Sequence, residues 1–296
     1  MFVYEIKPNG LCGGVKRAIK MITNALNDPN TKRPIYMLGN LIHNKLVVNS
    51  LVNSGVILVT TDYLEFLDTI SYGTIVFTAH GISPVIFNKA KEKGLDIIDT
   101  TCVHVLKIQE TINEKINNNQ DVIVVGNKKH PEVLSYLGIS PSVYVYNKDM
   151  DVKGNSFVIN QTTLVYDDVI DVFNDLKQKN ENIEISEEIC DATKRRQNAL
   201  KDELDNYDMF LIVGDKLSNN CRSLLEIVLK NGKIGYQVEN VNELNNISFK
   251  GINSIGVTSG ASTPPLVTKE IIDELNEYKE GYIFKSNLKE NDYVII

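Results

Sequence analysis

Cysteine is scarce in this sequence of 296 residues, with four in all and no pair in CxxC spacing. The scarcity excludes a disulfide framework and a zinc ribbon. No apolar run reaches the roughly 18 residues that a membrane span needs. The N-terminus also lacks the charged start and apolar core of a signal peptide. We therefore expect a chain that has no membrane partner and stays in the cytoplasm.

Basic clusters are scarce as well, because the net charge is −7 and no run rich in Lys and Arg occurs. Proteins that bind a phosphate backbone usually carry a basic face. Nucleic acid is therefore not an expected partner. The hydrophobic share of 43% and the charged share of 23% are those of an ordinary globular protein.

Short β-branched runs alternate with helical patterns along the chain, which predicts α/β layers with mostly parallel sheets. The strands are too numerous for one compact sheet and favour several small ones. Predicted strands lie at the N-terminus and at 34–38, 56–59, 74–77, 97–98, 122–125, 143–146, 157–159, 209–213, 234–238 and 254–257. Predicted helices lie at 15–26, 84–93, 103–117, 167–177, 192–204, 223–230 and 265–278.

Three of the four cysteines belong to an internal repeat. Cys12, Cys102 and Cys190 are 90 and 88 residues apart, and each directly precedes a helical pattern. Independent core cysteines would not share one place in three α/β units. We therefore expect these three to act together, whereas Cys221 falls outside the repeat and is interpreted as structural.

Polar residues recur at matching places in the same repeats. One set follows a strand that ends in glycine, 31, 28 and 28 residues after the cysteine: His43, His130 and Ser218. A second set follows a later strand and comprises His80, Thr162 and Ser262. Ligands of open parallel sheets bind beyond the carboxyl ends of the strands. Three units facing one another would bring the cysteines and these residues to a shared centre.

Three thiolates without a fourth partner leave one coordination position open, which suits an iron–sulfur cubane better than a zinc site built on short spacings. Histidines, hydroxyls and amides beside glycine turns suit a phosphate or diphosphate group. The sequence has neither an ATP-type phosphate loop nor a dinucleotide fingerprint. Glu132, two residues after His130, is either a solvated surface residue or a general acid.

Nine short motifs that run in order from residue 9 to residue 264 resemble the LytB family of 4-hydroxy-3-methylbut-2-enyl diphosphate reductases. The motifs are NGLCGGV at 9–15, LIHN at 41–44, TAHGIS at 78–83, DTTC at 99–102, HPEV at 130–133, NQTT at 160–163, ICDATKRRQ at 189–197, SNN at 218–220 and GVTSGASTP at 256–264.

The resemblance implies a cloverleaf of three pseudo-equivalent α/β domains around a central 4Fe–4S cluster. We expect domains at 1–98, 99–187 and 188–280, followed by an extended tail at 281–296. It implies that Cys12, Cys102 and Cys190 bind the cluster and leave the fourth iron open. The residues implied to bind the substrate diphosphate are His43, His80, His130, Thr162, Ser218, Asn219, Asn220 and Ser262.

The implied reaction is reductive dehydroxylation of an allylic diphosphate to isopentenyl and dimethylallyl diphosphate, the last step of the methylerythritol phosphate route to isoprenoids. Glu132 is implied to be the proton source, with Thr162 and His130 in the same network. Ferredoxin or flavodoxin is the expected electron donor. The chain departs from the family pattern at Val103, where proline is common, at Asn219, where serine is common, and at Cys221.

Two other classes stay open from the residues alone. A three-cysteine iron–sulfur lyase of the quinolinate synthase type also has three α/β units, but its dicarboxylate substrates would call for arginines near the pocket. A cluster-bearing redox sensor would need an effector or nucleic-acid surface, and neither the charge nor the length of the chain indicates one.

Overall fold

A computed structural model describes residues 1–150, 152, 154–286 and 288. The described strands are β1 (Phe2–Glu5), β2 (Ile35–Leu38), β3 (Val56–Val59), β4 (Thr74–Phe77), β5 (Asp96–Asp99), β6 (Asp121–Val125), β7 (Val143–Val145), β8 (Ser156–Asn160), β9 (Glu184–Ser186), β10 (Met209–Val213), β11 (Ile234–Val238) and β12 (Ser254–Ser259). The helices are α1 (Gly13–Asn27), α2 (Lys45–Asn53), α3 (Tyr63–Thr69), α4 (Pro84–Glu92), α5 (Val103–Asn117), α6 (Pro131–Leu137), α7 (Tyr166–Lys179), α8 (Asp191–Asp202), α9 (Asn219–Lys230) and α10 (Pro265–Asn276). A 3-10 helix covers Val241–Asn246.

The strands form three four-stranded sheets in which neighbouring strands run parallel. The first sheet has the order β3-β2-β4-β5, the second β7-β6-β8-β9 and the third β11-β10-β12-β1. The same order recurs three times, and in each sheet the carboxyl ends of all four strands lie at one edge. The predicted class of three small, parallel α/β units is thereby confirmed.

The chain divides into two compact units. The first unit holds Met1–Val15, His43–Ser50 and the described residues from Asp191 to Leu288, and it contains the third sheet. The second unit holds Lys16–Ile42 and Leu51–Cys190, and it contains the first and second sheets. The predicted domain boundaries after residues 98, 187 and 280 stay predictions.

The third sheet pairs a strand from the start of the sequence with one that lies far along it. Strand β1 pairs with β12, with Phe2 opposite Ser254 and Glu5 opposite Val257. The amide of Ile6 extends this pairing by donating to the carbonyl of Val257 at 2.8 Å. The strand at the N-terminus was predicted, but a partner some 250 residues away leaves no local pattern in the sequence.

The central strands are buried because helices cover both faces of each parallel sheet. All five residues of β8 and all five of β10 are buried. In the second sheet, Phe157 is 1% exposed and packs in a cluster with Val124, Val133 and Ile159. Continuous runs of Val, Ile and Phe in these strands follow from burial on two faces.

The strands and helices that the sequence pattern does not predict are among the shortest ones. Strand β9 has three residues, α3 and α6 have seven, and α2 has nine. Such lengths are too short for a helical period to emerge. Among the described helices, none is both long and apolar enough to cross a membrane.

The described part of the predicted tail packs on the first unit. Phe284 is 3% exposed, and its ring centroid lies 5.7 Å from that of Phe249. The Phe284 amide also donates to the side-chain oxygen of Asn245 at 2.9 Å. Residues 287 and 289–296 of the predicted tail lie outside the described residues.

Replacing Phe157 by alanine removes the largest side chain at the centre of the second sheet. We expect Phe157→Ala to lower the free energy of unfolding by about 3–5 kcal/mol, because it loses apolar burial and leaves a cavity. Chemical denaturation measures the change. The control is Tyr144→Ala, since Tyr144 lies on β7, an edge strand of the same sheet, and is 45% exposed. Equal losses in both variants would contradict this account.

Candidate active site

The three repeat cysteines occupy one structural position. Each follows an edge strand (β1, β5 or β9) and directly precedes a helix (α1, α5 or α8). The backbone amide of each cysteine donates to a carbonyl two residues beyond the end of the neighbouring strand. The pairs are Cys12 with Ala261 (3.0 Å), Cys102 with Ala79 (3.0 Å) and Cys190 with Thr162 (3.2 Å). The predicted equivalence of the three cysteines is therefore visible in their backbone contacts.

The fourth cysteine has different surroundings. Cys12, Cys102 and Cys190 are half-buried, whereas Cys221 is 0% exposed. Burial raises the pKa of the Cys221 thiol to about 11. A thiol with this pKa stays protonated at neutral pH, and thiolate is the form that binds metal. These surroundings fit the interpretation of Cys221 as structural.

In the first unit, the Asn220 side chain supports the strand tip that holds Cys12. Its Oδ1 accepts from the amide of Ala261 at 2.9 Å, and its Nδ2 lies 3.3 Å from Thr193 Oγ1. Ala261 in turn accepts the Cys12 amide through its carbonyl. The chain of contacts runs from α9 through the strand tip to the cysteine. Asn220 therefore contributes to the site through a buried amide that is 4% exposed.

Three predicted diphosphate-binding residues meet in the first unit. Ser218 begins α9 as its N-cap, and its Oγ lies 3.5 Å from Ser262 Oγ. Ser262 Oγ donates to the backbone carbonyl of His43 at 3.0 Å. Asn219 is the first residue of α9 and is 8% exposed. Hydroxyls at the start of a helix, beside its first backbone amides, suit an anionic oxygen.

The imidazole of His43 is held toward its neutral form. Burial lowers the pKa of His43, Asp215 opposes that effect, and Arg222 adds to it. Asp215 itself accepts the backbone amide of Lys45 at 3.2 Å. A neutral imidazole still offers one N–H donor to a ligand.

The loop before Cys12 is anchored by a buried arginine. Arg196 on α8 is 5% exposed and donates to the carbonyl of Gly10 at 2.6 Å, and also to that of Ala192 at 2.7 Å. The amide of Gly10 donates to Ser259 Oγ at 2.8 Å. Both backbone groups of Gly10 are therefore fixed two residues before the cysteine. The role of Arg196 was not predicted, although it lies within the motif at 189–197.

In the second unit, Glu132 lies inside the protein with three donors on its carboxylate. It is 3% exposed. Oε1 accepts the Thr162 amide at 2.7 Å and the Tyr136 hydroxyl at 3.1 Å, and Oε2 accepts the Thr162 hydroxyl at 2.9 Å. Of the two readings of Glu132 that the sequence left open, the solvated surface residue is wrong.

Burial and hydrogen bonding act on Glu132 in opposite directions. Burial raises the pKa of Glu132, while the hydrogen bonds from Thr162 and Tyr136 lower it and only partly offset that rise. A carboxyl group with a raised pKa can hold a proton nearer to neutral pH and release it on demand. Glu132 therefore has the environment of a general acid.

His130 and His80 lie next to each other in the second unit, and His130 contacts the backbone of Glu132. His130 is the N-cap of α6, and its Nδ1 accepts the Glu132 amide at 3.2 Å. In neutral His130 the proton is therefore on Nε2, which is left as a donor. The rings of His80 and His130 meet edge to face with centroids 5.4 Å apart. Two of the three predicted histidines are thus brought together within this unit.

The chain is similar to known proteins over most of its length. The family model described as LytB protein matches residues 3–276. The 4-hydroxy-3-methylbut-2-enyl diphosphate reductase of Geobacillus thermodenitrificans is 38% identical over 287 residues, which cover 94% of this chain and 91% of that protein. The enzyme of the same name from Symbiobacterium thermophilum is 37% identical over 288 residues, covering 94% and 98%.

Two solved structures are similar as well. The E-1-hydroxy-2-methyl-but-2-enyl-4-diphosphate reductase from Plasmodium falciparum has a TM-score of 0.87 and 29% identity, and the match covers 99% of this chain and 96% of that one. A structure of (E)-4-hydroxy-3-methyl-but-2-enyl diphosphate reductase, described as the terminal enzyme of the non-mevalonate pathway, has a TM-score of 0.66 and 29% identity, covering 94% and 100%.

Three parallel sheets, each with one cysteine at an equivalent strand end, define an α/β protein built from three similar sheets. The family model matches residues 3–276, and the two relatives are 37–38% identical to this chain. The chain belongs to the LytB family, as the nine motifs predicted. Membership implies an iron–sulfur cluster.

Removal of the Arg196 guanidinium tests the anchor of the Cys12 loop. We expect Arg196→Met to lower the free energy of unfolding by about 1.5–3 kcal/mol, because it removes charge-assisted hydrogen bonds to buried carbonyls. Anaerobic denaturant titration gives the value. Arg195→Met is the control, since the Arg195 side chain is 74% exposed and such changes stay within about 0.5 kcal/mol. An Arg196→Met protein as stable as the control would refute the anchor.

Proposed function

We propose that this chain reduces (E)-4-hydroxy-3-methylbut-2-enyl diphosphate to isopentenyl and dimethylallyl diphosphate. Two electrons and two protons enter, and the allylic hydroxyl leaves as water. Family membership supports the reaction. The observation that carries the proposal is the common backbone position of Cys12, Cys102 and Cys190, because an equivalent place in three sheets supports a shared role for these cysteines.

The proposed cofactor is a 4Fe–4S cluster bound by Cys12, Cys102 and Cys190. The three thiols suit it because they are half-buried and free of disulfides. Three ligands leave one iron of such a cluster open, and the cluster supplies one-electron transfer at that position. Cys221 does not suit this role, because its thiol is buried and protonated.

The proposed diphosphate contacts come from imidazole, hydroxyl and amide groups. His43, His80 and His130 provide imidazole N–H groups, and Ser218, Asn219, Asn220, Thr162 and Ser262 provide hydroxyls and amides. Donors fixed in place before the substrate arrives bind an anion with little reorganisation. A quinolinate synthase-type lyase is disfavoured, because dicarboxylates would call for arginine donors, which this set does not contain.

Glu132 is the proposed proton source for the departing hydroxyl, with Thr162 in contact with it and His130 beside it. A hydroxide ion is a poor leaving group, so a proton must reach the oxygen as the C–O bond breaks. The raised pKa of Glu132 supports this role, because it keeps a proton available. Burial of the carboxyl also keeps bulk water from exchanging that proton freely.

The proposed surroundings of the reaction are those of a soluble metabolic enzyme. Ferredoxin or flavodoxin is the proposed electron donor, and the cytoplasm is the proposed location. The lack of a basic run in the sequence supports the absence of a nucleic-acid partner.

Turnover of the allylic diphosphate tests the function directly. We expect the anaerobically purified, iron-loaded protein to convert (E)-4-hydroxy-3-methylbut-2-enyl diphosphate with reduced methyl viologen as the one-electron donor. Viologen oxidation and product analysis by mass spectrometry follow the reaction. Iron-loaded protein that consumes no substrate would overturn the proposal. Turnover of iminoaspartate with dihydroxyacetone phosphate instead would favour the lyase.

Iron content tests the ligand set without reference to turnover. We expect about four irons per chain in the native protein and in Cys221→Ala. We expect Cys12→Ala, Cys102→Ala and Cys190→Ala to lose most of the iron, because two thiolates hold a cluster poorly. Iron and sulfide assays with the visible absorption spectrum give the result. Loss of iron in Cys221→Ala alone would show that the ligand assignment is wrong.

A further inference from the structure

The two oxygens of the Glu132 carboxyl group have unequal surroundings. Oε1 receives two donors, the amide of Thr162 at 2.7 Å and the phenol of Tyr136 at 3.1 Å. Oε2 receives the hydroxyl of Thr162 at 2.9 Å. The backbone amide can only donate, whereas the threonine hydroxyl can donate or accept. The tyrosine hydroxyl could accept as well, but a proton on Oε1 would have to displace one of its two donors, whereas Oε2 has a single donor whose hydroxyl can turn and accept.

Tyr136 is fixed by its place in the fold. It lies four residues after Glu132 on α6, so the two side chains share one face of the helix. It is 0% exposed and packs in the cluster that contains Val105, Ile108 and Phe157. Burial, and then the charge of Glu132, raise the pKa of Tyr136 well above its ordinary value. The phenol thus stays protonated and donates to the carboxylate.

Other titratable groups also lie near this pair. Cys102 and Glu188 act on Tyr136 electrostatically, and both disfavour the phenolate. His130, the N-cap of the same helix, accepts the Glu132 amide through Nδ1. The Glu132 carboxylate accepts hydrogen bonds from Thr162 and Tyr136.

We propose that Tyr136 is a positioning residue that directs the acid proton of Glu132 to Oε2. With Oε1 occupied by two donors, protonation there would break one hydrogen bond, whereas protonation of Oε2 keeps both. The Oε2–H group then donates to Thr162 Oγ1, whose own proton becomes available to another acceptor. This inference rests on the proposed role of Glu132 as proton source, and Tyr136 itself does not touch the substrate.

Infrared spectroscopy tests the assignment without turnover. The C=O stretch of protonated Glu132 appears in the difference between the wild-type spectrum and that of Glu132→Gln, both recorded on the substrate-free, iron-loaded protein. With the proton on Oε2, the C=O group is Oε1, which carries two hydrogen bonds. Tyr136→Phe removes one of them, so we expect the band to move to higher wavenumber. An unmoved band would overturn the proposal.

Kinetics provide the second readout. We expect Tyr136→Phe to lower kcat by about tenfold, a part of the effect of a positioned proton donor, and to leave KM close to the wild-type value. The control is Tyr146→Phe, because Tyr146 also donates to a carboxylate, that of Asp175 at 3.3 Å. We expect the control to change neither the band nor kcat. A Tyr136→Phe enzyme with unchanged kcat would contradict the proposal.

A second perturbation covers the case in which Tyr136→Phe does not fold. Uniform incorporation of 3-fluorotyrosine makes the phenol a stronger donor and leaves its volume almost unchanged. We expect the Glu132 band to move to lower wavenumber, opposite to the shift in Tyr136→Phe. An unmoved band here would again overturn the proposal. Because the infrared readout uses no substrate, a failure of the proposed reaction would leave these shifts in place and be recognised separately.

Discussion

The hydrogen bond between each cysteine amide and the tip of the neighbouring strand is the constraint on which the candidate site depends. It joins Cys12, Cys102 and Cys190 to the backbone alone. Two of the three acceptors are alanines, so side-chain chemistry plays no part in the contact. Sheet register fixes the acceptor carbonyl, and the carbonyl fixes where the following helix begins. The thiols thus have their positions determined by parallel pairing before any metal is bound.

This constraint also explains why the cysteines lie between sheets in the sequence. Each cysteine follows the edge strand of one sheet and precedes a helix that leads to the central strand of the next. Helix α1 leads from β1 to β2, α5 from β5 to β6, and α8 from β9 to β10. The repeat seen in the sequence is therefore the connection between sheets. Counted from one cysteine to the next, each repeat holds the four strands of one sheet. The third repeat takes its fourth strand, β1, from the segment before Cys12.

Proton chemistry depends on a different balance, that between desolvation and hydrogen bonding at Glu132. A buried carboxylate without donors would be costly, and three donors offset much of that cost. Two of them come from Thr162, through its amide and its hydroxyl. The carbonyl of the same residue accepts the Cys190 amide. One strand tip therefore fixes both a proposed cluster ligand and the proposed proton source.

The sequence alone predicted the features that repeat, because each position of a threefold repeat can be compared with two equivalent positions. The class of fold, the equivalence of the three cysteines and most strands followed from it. Single features left no such trace. Strand β1 pairs with β12, which lies some 250 residues later in the chain. In the sequence, nothing distinguishes Arg196 from the neighbouring Arg195. Tyr136 reads as a core aromatic, since nothing in a sequence shows that its hydroxyl meets Glu132.

The departures from the family pattern follow from local geometry. Val103 starts α5 where proline is common, and both suit a first helical position, whose amide needs no partner within the helix. Cys221 is held more tightly, because a Cβ added to Gly214 or Gly260 would lie only 2.5 or 2.2 Å from its Sγ. Gly260 directly precedes Ala261, the residue that accepts the Cys12 amide. The thiol of Cys221 therefore fills the space beneath the strand tip that holds Cys12. Its contribution to the site is packing under a proposed ligand.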